Sequence, residues 1–369
     1  MDYSEVLDIN TLIAPISEAS PVGEDPRADI SPTSRYFTLK DFRNQARANE
    51  RAALVDEDLV GSLANDWRPI LDQVPDALVS EGKDLEYVAW LIEALCRLEG
   101  FSGLAVGFKL ARELIQSYWG DLYPLPDEDG LDTRIAPLIG LNGYDGEGSL
   151  ITPILSIPIT SPNGSEVYAT WQFNRASEIA RMDEDKQRQK SESGIASLSD
   201  IEDAVKASPA SFYVALMSEL QNAINEFQLL SDAMDSAMGG EPQPTSMISK
   251  SLAKCEEAIR YLAGDLIDQA LSETNDASAD LDSESSLTED SESALLQAKK
   301  LETREHAVNM LKEVSEFFRR TEPHSPMPYA IDQVIRWSDL ELPELLQELI
   351  EDGGARNNYF RLTGIPVGD

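Results

Sequence analysis

KDLEYVAWLIEALCRLEG, residues 83–100, places Leu85, Val88, Ala89, Leu91, Ile92, Leu95, Cys96 and Leu98 on nearly every face of a helix. A helix apolar on all sides belongs inside a core, so this stretch predicts a buried central helix rather than a surface one. Gly100 ends it, and FSGLAVGFKLARELIQSYWG (101–120) returns after a short turn as its antiparallel partner, an αα-hairpin. Just upstream, DWRPILDQVPDALVSEG (66–82) reads as a helix with Pro69 in its first turn and a kink at Pro75. Further back, ISEASPVGEDP (16–26) holds Pro21, Gly23 and Pro26, which exclude regular structure there.

Downstream the period changes. LITPILSIPIT (150–160) and SPNGSEVYATW (161–171) flank Asn163-Gly164, a favoured type I′ pair, and predict one small β-hairpin. ASEIARMDEDKQRQK (176–190) is a polar helix or linker. SPASFYVALMSELQNAINEFQLLSDAMDSAMGG (208–240) has a capping signal at its start and a Gly-Gly stop, and another helix covers 246 to about 271. No Lys or Arg falls between Arg260 and Lys299 while acids recur, so 272–292 reads as a flexible acidic linker. Beyond it, Ala307, Met310, Leu311, Val314, Phe317 and Phe318 mark one face of a long helix, and 339–354 gives a shorter one. The expected fold is mainly α: a helical domain 1–175 with a small β-hairpin, a helical middle 176–271, the linker 272–292, and a small helical module 293–369.

At 369 residues the chain suits two or three domains, and 42% hydrophobic residues suffice for true cores. Sixty-seven acids against thirty bases give a formal charge of −37. That field repels phosphate backbones and anionic lipid, so nucleic acid and membrane surfaces are poor partners. The start, MDYSEVLDINTLIAPIS, lacks the basic region of a signal peptide, and no window is long and apolar enough to span a bilayer. Cys96 in an apolar run and Cys255 in a polar one suggest no disulfide framework, and the expected location is the cytoplasm.

Motifs for catalysis are missing. The two histidines, His306 and His324, are too far apart for a metalloprotease helix, and Cys and His are too few for a zinc cluster. Gly82-Lys83 is followed by Asp84, without the flanking residues of a phosphate-binding loop. Ser102 lacks the spacing of a nucleophile elbow. Asp280, Asp282 and Glu284 imitate a calcium loop, but Ser285 and Ser291 replace its glycine and its bidentate glutamate. No cofactor is expected. Within GEDP (23–26), Glu24 or Asp25 reads as a cap on the next segment. Trp90 and Trp119 read as core.

RRTEPHSPMPYAIDQVIRW (319–337) tests the same question. Glu322 and Pro323 end one helix, Ser325 and Pro326 start the next, and His324 sits between. Every residue class in this joint has a use without proton transfer, so His324 reads as part of a rigid turn. A module this small gains from oligomerisation. Phe317, Phe318, Tyr329, Trp337, Leu342, Leu345, Leu346 and Leu349 offer the apolar area for a homo-oligomer interface.

LIAPISEASPVGEDPR, WRPI, KDLEYVAWLIEALCRLEGFSGLAVGF and YWGDLYPLPDEDG, in that order over about 11–160, resemble the ImpA-type N-terminal domain of TssA proteins, subunits of the bacterial type VI secretion apparatus. The matching motif positions are Pro21, Gly23, Glu24, Asp25, Lys83, Asp84, Leu85, Glu99 and Gly100. FFRRTEPHSPMPYAIDQVIRW is similar to a C-terminal motif of many members. The resemblance implies a cytoplasmic, non-enzymatic assembly subunit. It would form a ring or star and contact baseplate, tail-tube and sheath proteins, with some members also contacting the membrane complex. Within the family the alternative is a sheath-capping type; outside it, an unrelated helical adaptor or chaperone, or an enzyme with an unrecognised site.

Overall fold

The structure, a computed structural model, describes residues 7–53, 63–128, 130–144, 146–162, 166–182, 195–279, 311, 312, 314, 315, 319, 327–338 and 345. It divides into two compact units, Met1–Glu284 and Ser285–Asp369.

In the first unit the helices are α1 (Ile9–Ile13), α2 (Arg35–Ala53), a 3₁₀ turn (Leu63–Trp67), α3 (Arg68–Ser80), α4 (Leu85–Leu98), α5 (Gly100–Tyr118), α6 (Asp132–Asn142), α7 (Ile151–Leu155), α8 (Thr170–Ala180), α9 (Leu198–Ala207), α10 (Ala210–Ala237) and α11 (Ser246–Ala279). The chain is mainly α, as its periodicity predicts. α4 is the central helix: every residue from Tyr87 to Cys96 is buried. α5 turns back along it through Gly100, whose φ of +60° suits a residue without a side chain. The two helices approach closely because α5 presents glycines. A Cβ on Gly103 would lie 2.4 Å from the Leu95 carbonyl oxygen.

Pro69 sits in the first turn of α3 and Pro75 inside it. Gly239 and Gly240, with φ of +77° and +90°, follow α10. α11 runs through 272–279, the first part of the expected linker, while 280–292 lies outside the described residues. The hairpin expected over 150–171 takes another form. Its first run is helical at Ile151–Leu155, and the described pairing is one antiparallel bridge, Pro158 with Ala169. Pro153 and Pro158 each lack the N–H that a ladder needs. Asn163 and Gly164 lie outside the described residues.

The boundary expected at 175/176 falls inside the first unit. One core runs from Ile9 to Ile267, and α10 lies along α5, with Phe108 against Phe227 at 4.9 Å and Arg112 paired with Glu226 at 3.1 Å. Asn142, the last residue of α6, accepts hydrogen bonds from the Met247 and Ile248 amides at 2.9 and 3.0 Å. It thereby caps the first turn of α11 from a distant part of the chain.

In the second unit α12 (Met327–Ser338) carries Asp332, which accepts from Ser315 at 2.6 Å and pairs with Arg319. The described helical positions before the joint are thus tied to the helix after it.

Leu91→Ala, which removes a fully buried side chain, should cost about 2–5 kcal/mol in urea unfolding. Gly103→Ala should also destabilise, by about 1–3 kcal/mol, because overpacking against Leu95 outweighs the gain in helix propensity.

Candidate functional site

Of the motif positions of the N-terminal half, Gly23, Glu24, Asp25, Lys83, Asp84 and Leu85 meet at one strip of chain, Glu81 to Leu85, that leads into α4. Residues 22–24 pair with it on one side: Glu24 N–H donates to Glu81 O at 2.9 Å and Lys83 N–H to Val22 O at 2.8 Å. Tyr123 pairs on the other side, with Leu85 N–H donating to Tyr123 O at 2.8 Å. Two glycines allow the approach. A Cβ on Gly23, whose φ is +76°, would lie 2.1 Å from Glu81 O, and one on Gly82 would lie 2.3 Å from Glu24 O.

Asp84 is the hub. Its carboxylate caps α4 by accepting from Glu86 and Tyr87 N–H at 2.8 and 3.1 Å. Arg27 reaches it with both terminal guanidinium nitrogens, Nη1 and Nη2, at 2.6 and 3.3 Å, and also meets Glu86 at 2.7 Å and Asp25 at 3.1 Å. Tyr36 donates to Glu86 at 2.8 Å, and its ring lies 5.0 Å beneath the guanidinium. Burial pushes the Asp84 carboxyl up, while Arg27 and the capping amides pull it down. Burial opposes the Arg27 charge too, but Asp84 and Glu86 outweigh it and hold its pKa above the ordinary arginine value. Asp25, read from sequence as a cap, accepts from the Arg27 N–H at 3.0 Å and steadies this turn.

Lys83 is fully buried, and its ammonium donates to Leu12 O and Leu78 O, both at 2.7 Å. It joins α1 to the end of α3. Burial lowers its pKa to about 8.

A second set of charges fastens α2 to α4. Buried Glu93 pairs with Arg43, and Arg97 pairs with Glu50 while lying 4.0 Å over the Trp67 ring. Trp67 Nε1 donates to Glu50 at 2.8 Å. Between the lower ends of these helices and α7 opens a cavity of about 540 Å³, bordered by Gly100.

The sequence motif therefore forms a framework in which Leu85 is buried, Pro21 and Glu99 are exposed, and Gly100 turns the chain. Arg27, Glu86, Tyr36 and the two α2–α4 pairs were not singled out from sequence, where a charged residue in so acidic a chain carries little signal. Trp90 is core and Trp119 half-buried beneath Arg134. The joint Glu322, Pro323, His324, Ser325 and Pro326, with Phe317, Phe318, Leu342, Leu346 and Leu349, lies outside the described residues. Tyr329 is 72% exposed, whereas Trp337 and Leu345 are half-buried. Among the described residues no three His, Cys, Asp or Glu side chains group to hold a metal ion, and no helix is long and apolar enough to cross a membrane.

Residues 13–143 match the family described as ImpA, N-terminal, type VI secretion system. The type VI secretion component TssA1 of Pseudomonas aeruginosa is 28% identical over 154 residues, which is 42% of this chain and 42% of that relative. The fold is shared with a solved structure, the N-terminal domain including the conserved ImpA_N region of the TssA component from Burkholderia cenocepacia. The TM-score is 0.57 at 22% identity, over 70% of this chain and 94% of that one. The framework around Asp84 lies within the residues that match the ImpA N-terminal, type VI secretion family. The chain spans less than half the length of the TssA1 relative it matches.

Two outcomes check the framework. Arg27→Ala should cost about 3–5 kcal/mol by leaving Asp84 buried without its partner, and Asp84→Asn added to it should cost much less than it does alone. Lys83 gives a pH signature. Its folded pKa is depressed below 10.5, so the unfolded chain binds more protons from about pH 8 upward. The stability of the wild type relative to Lys83→Met should rise from pH 8 to 10 in parallel urea titrations. A flat difference would show an unperturbed amine.

Proposed function

We propose that this chain is a non-enzymatic assembly subunit of a type VI secretion apparatus, acting in the cytoplasm as a ring- or star-shaped homo-oligomer. Its partners are baseplate, tail-tube and sheath proteins, with the membrane complex as a further contact, and it is of the baseplate-associated rather than the sheath-capping type. The match of residues 13–143 to the ImpA N-terminal family carries this reading. Two features support it. The charges of the N-terminal framework are engaged in holding helices together, with Asp84, Glu93 and Lys83 all buried and bonded. In the second unit, α12 exposes Tyr329 and Val334, apolar surface of the kind that subunits cover on association.

In this reading residues 293–369 oligomerise, the acidic stretch between the units tethers the first unit to the assembly, and a tether raises its local concentration near the partners. His324 orients the turn of the joint.

The purified chain should scatter light as a multiple of its 40.7 kDa mass and show closed particles in negative-stain electron micrographs. Tyr329→Asp should shift it towards monomer while its helical circular dichroism persists. A wild-type monomer at micromolar concentration would overturn the oligomeric reading. Loss of secretion in His324→Ala with intact particles would restore a chemical role for that histidine.

A further inference from the structure

Helix α2 runs against the charge of the whole chain. It carries Arg43, Arg47 and Arg51 at four-residue spacing, which puts them on one face. Arg43 is engaged by Glu93, and Arg97 from α4 by Glu50. Arg47 and Arg51 make no hydrogen bond or ion pair among the described residues. Burial weakens the half-buried Arg47 charge; Glu93 opposes that, and the charges of Arg43, Arg51 and Arg97 add to it. A cation in that setting gains from any carboxylate brought to it.

Both free arginines border the 540 Å³ cavity, a volume within the range of about 300–1,000 Å³ usual for binding pockets. Its other walls are mixed: Cys96, Leu98, Ile157 and Pro158 are apolar, and Ser149 and Thr152 are polar. The wall at 148–149 is fixed by close packing, since a Cβ on Gly148 would lie 2.1 Å from Leu141 O. The Ser149 hydroxyl there is shielded from solvent and has no hydrogen-bond partner among the described residues. Both carboxylates of the lining are already engaged: Glu50 pairs with Arg97 and accepts from Trp67 Nε1, and Glu147 accepts from the Thr152 hydroxyl at 2.7 Å.

We propose that this cavity docks a short acidic segment of a partner protein, with carboxylates on Arg47 and Arg51 and an apolar side chain against Cys96, Ile157 and Pro158. Charge complementarity selects the carboxylates, and the apolar floor selects a side chain beside them, which a bare phosphate does not supply. An extended polyphosphate would meet the repulsion of a chain of net charge −37, whereas a short segment brings only one or two charges. The proposal goes beyond the assembly reading and is independent of whether the chain forms rings.

The test uses the full chain and a fluorescein-labelled peptide of alternating aspartate and leucine, read by anisotropy. Binding should weaken with salt. It should fall by about tenfold or more, about 1.4 kcal/mol, in the Arg47→Ala/Arg51→Ala variant. Arg260→Ala, on α11 and paired with Glu256, should bind as the wild type does. A peptide with asparagine in place of aspartate should not bind. Neither arginine bonds to the described fold, so the double variant should keep its circular dichroism; if it does not, Arg47→Gln alone reads the same loss. Equal binding by the double variant or by the asparagine peptide, or no binding at all, overturns the proposal. Displacement by tripolyphosphate at equal or lower concentration would also overturn it, in favour of a small phosphorylated ligand.

Discussion

Helix α4 is buried all round and yet is not purely apolar. Glu93 lies on it at zero exposure, Glu86 and Arg97 flank the buried run, and Asp84 caps it from within the core. A buried charge without a partner is among the costliest defects a fold can carry. The partners come from the preceding segment: Arg27 from the turn before α2, and Arg43 and Glu50 from α2 itself. Residues 27–50 are therefore bound to the central helix by charge as well as by packing.

The same constraint shapes the sequence where it looks irregular. Gly23 and Gly82 lie at the two places where backbone strips touch, and larger residues would force them apart. Once 22–24 and 81–85 are in contact, Arg27 is within reach of Asp84 across 57 positions of sequence. Lys83 adds a tie of another kind. Its two backbone carbonyl acceptors give a long buried side chain polar partners without an opposing acid.

The helices of the N-terminal half were legible because their signals are local. The all-face apolar run of 85–98, the stop at Gly100 and the prolines of α3 each act within a few residues. The 150–171 region misled because β-branched residues there suggest strands, while Pro153 and Pro158 remove the donors that pairing requires. The join between the N-terminal and middle helices was not legible at all. It depends on Asn142 meeting the amides of Met247 and Ile248, and on Phe108 meeting Phe227, contacts between residues more than a hundred positions apart. The charge pairs failed to stand out for a different reason: with acids so abundant, nothing in the sequence distinguishes Glu93 from its neighbours until its burial is known.

Helix α11 begins under the Asn142 cap, has Ile267 as its last buried residue among those whose burial is described, and continues to Ala279. At 1.5 Å per residue the twelve residues after Ile267 add about 18 Å of helix. A rod clamped at one end converts angle into distance. A tilt of about 10° at Ile267 would carry the tip sideways by about 3 Å, on the same helical rise. Small adjustments of packing around Cys255 and Ile259, both on the buried face of this helix, are therefore geometrically amplified at its far end.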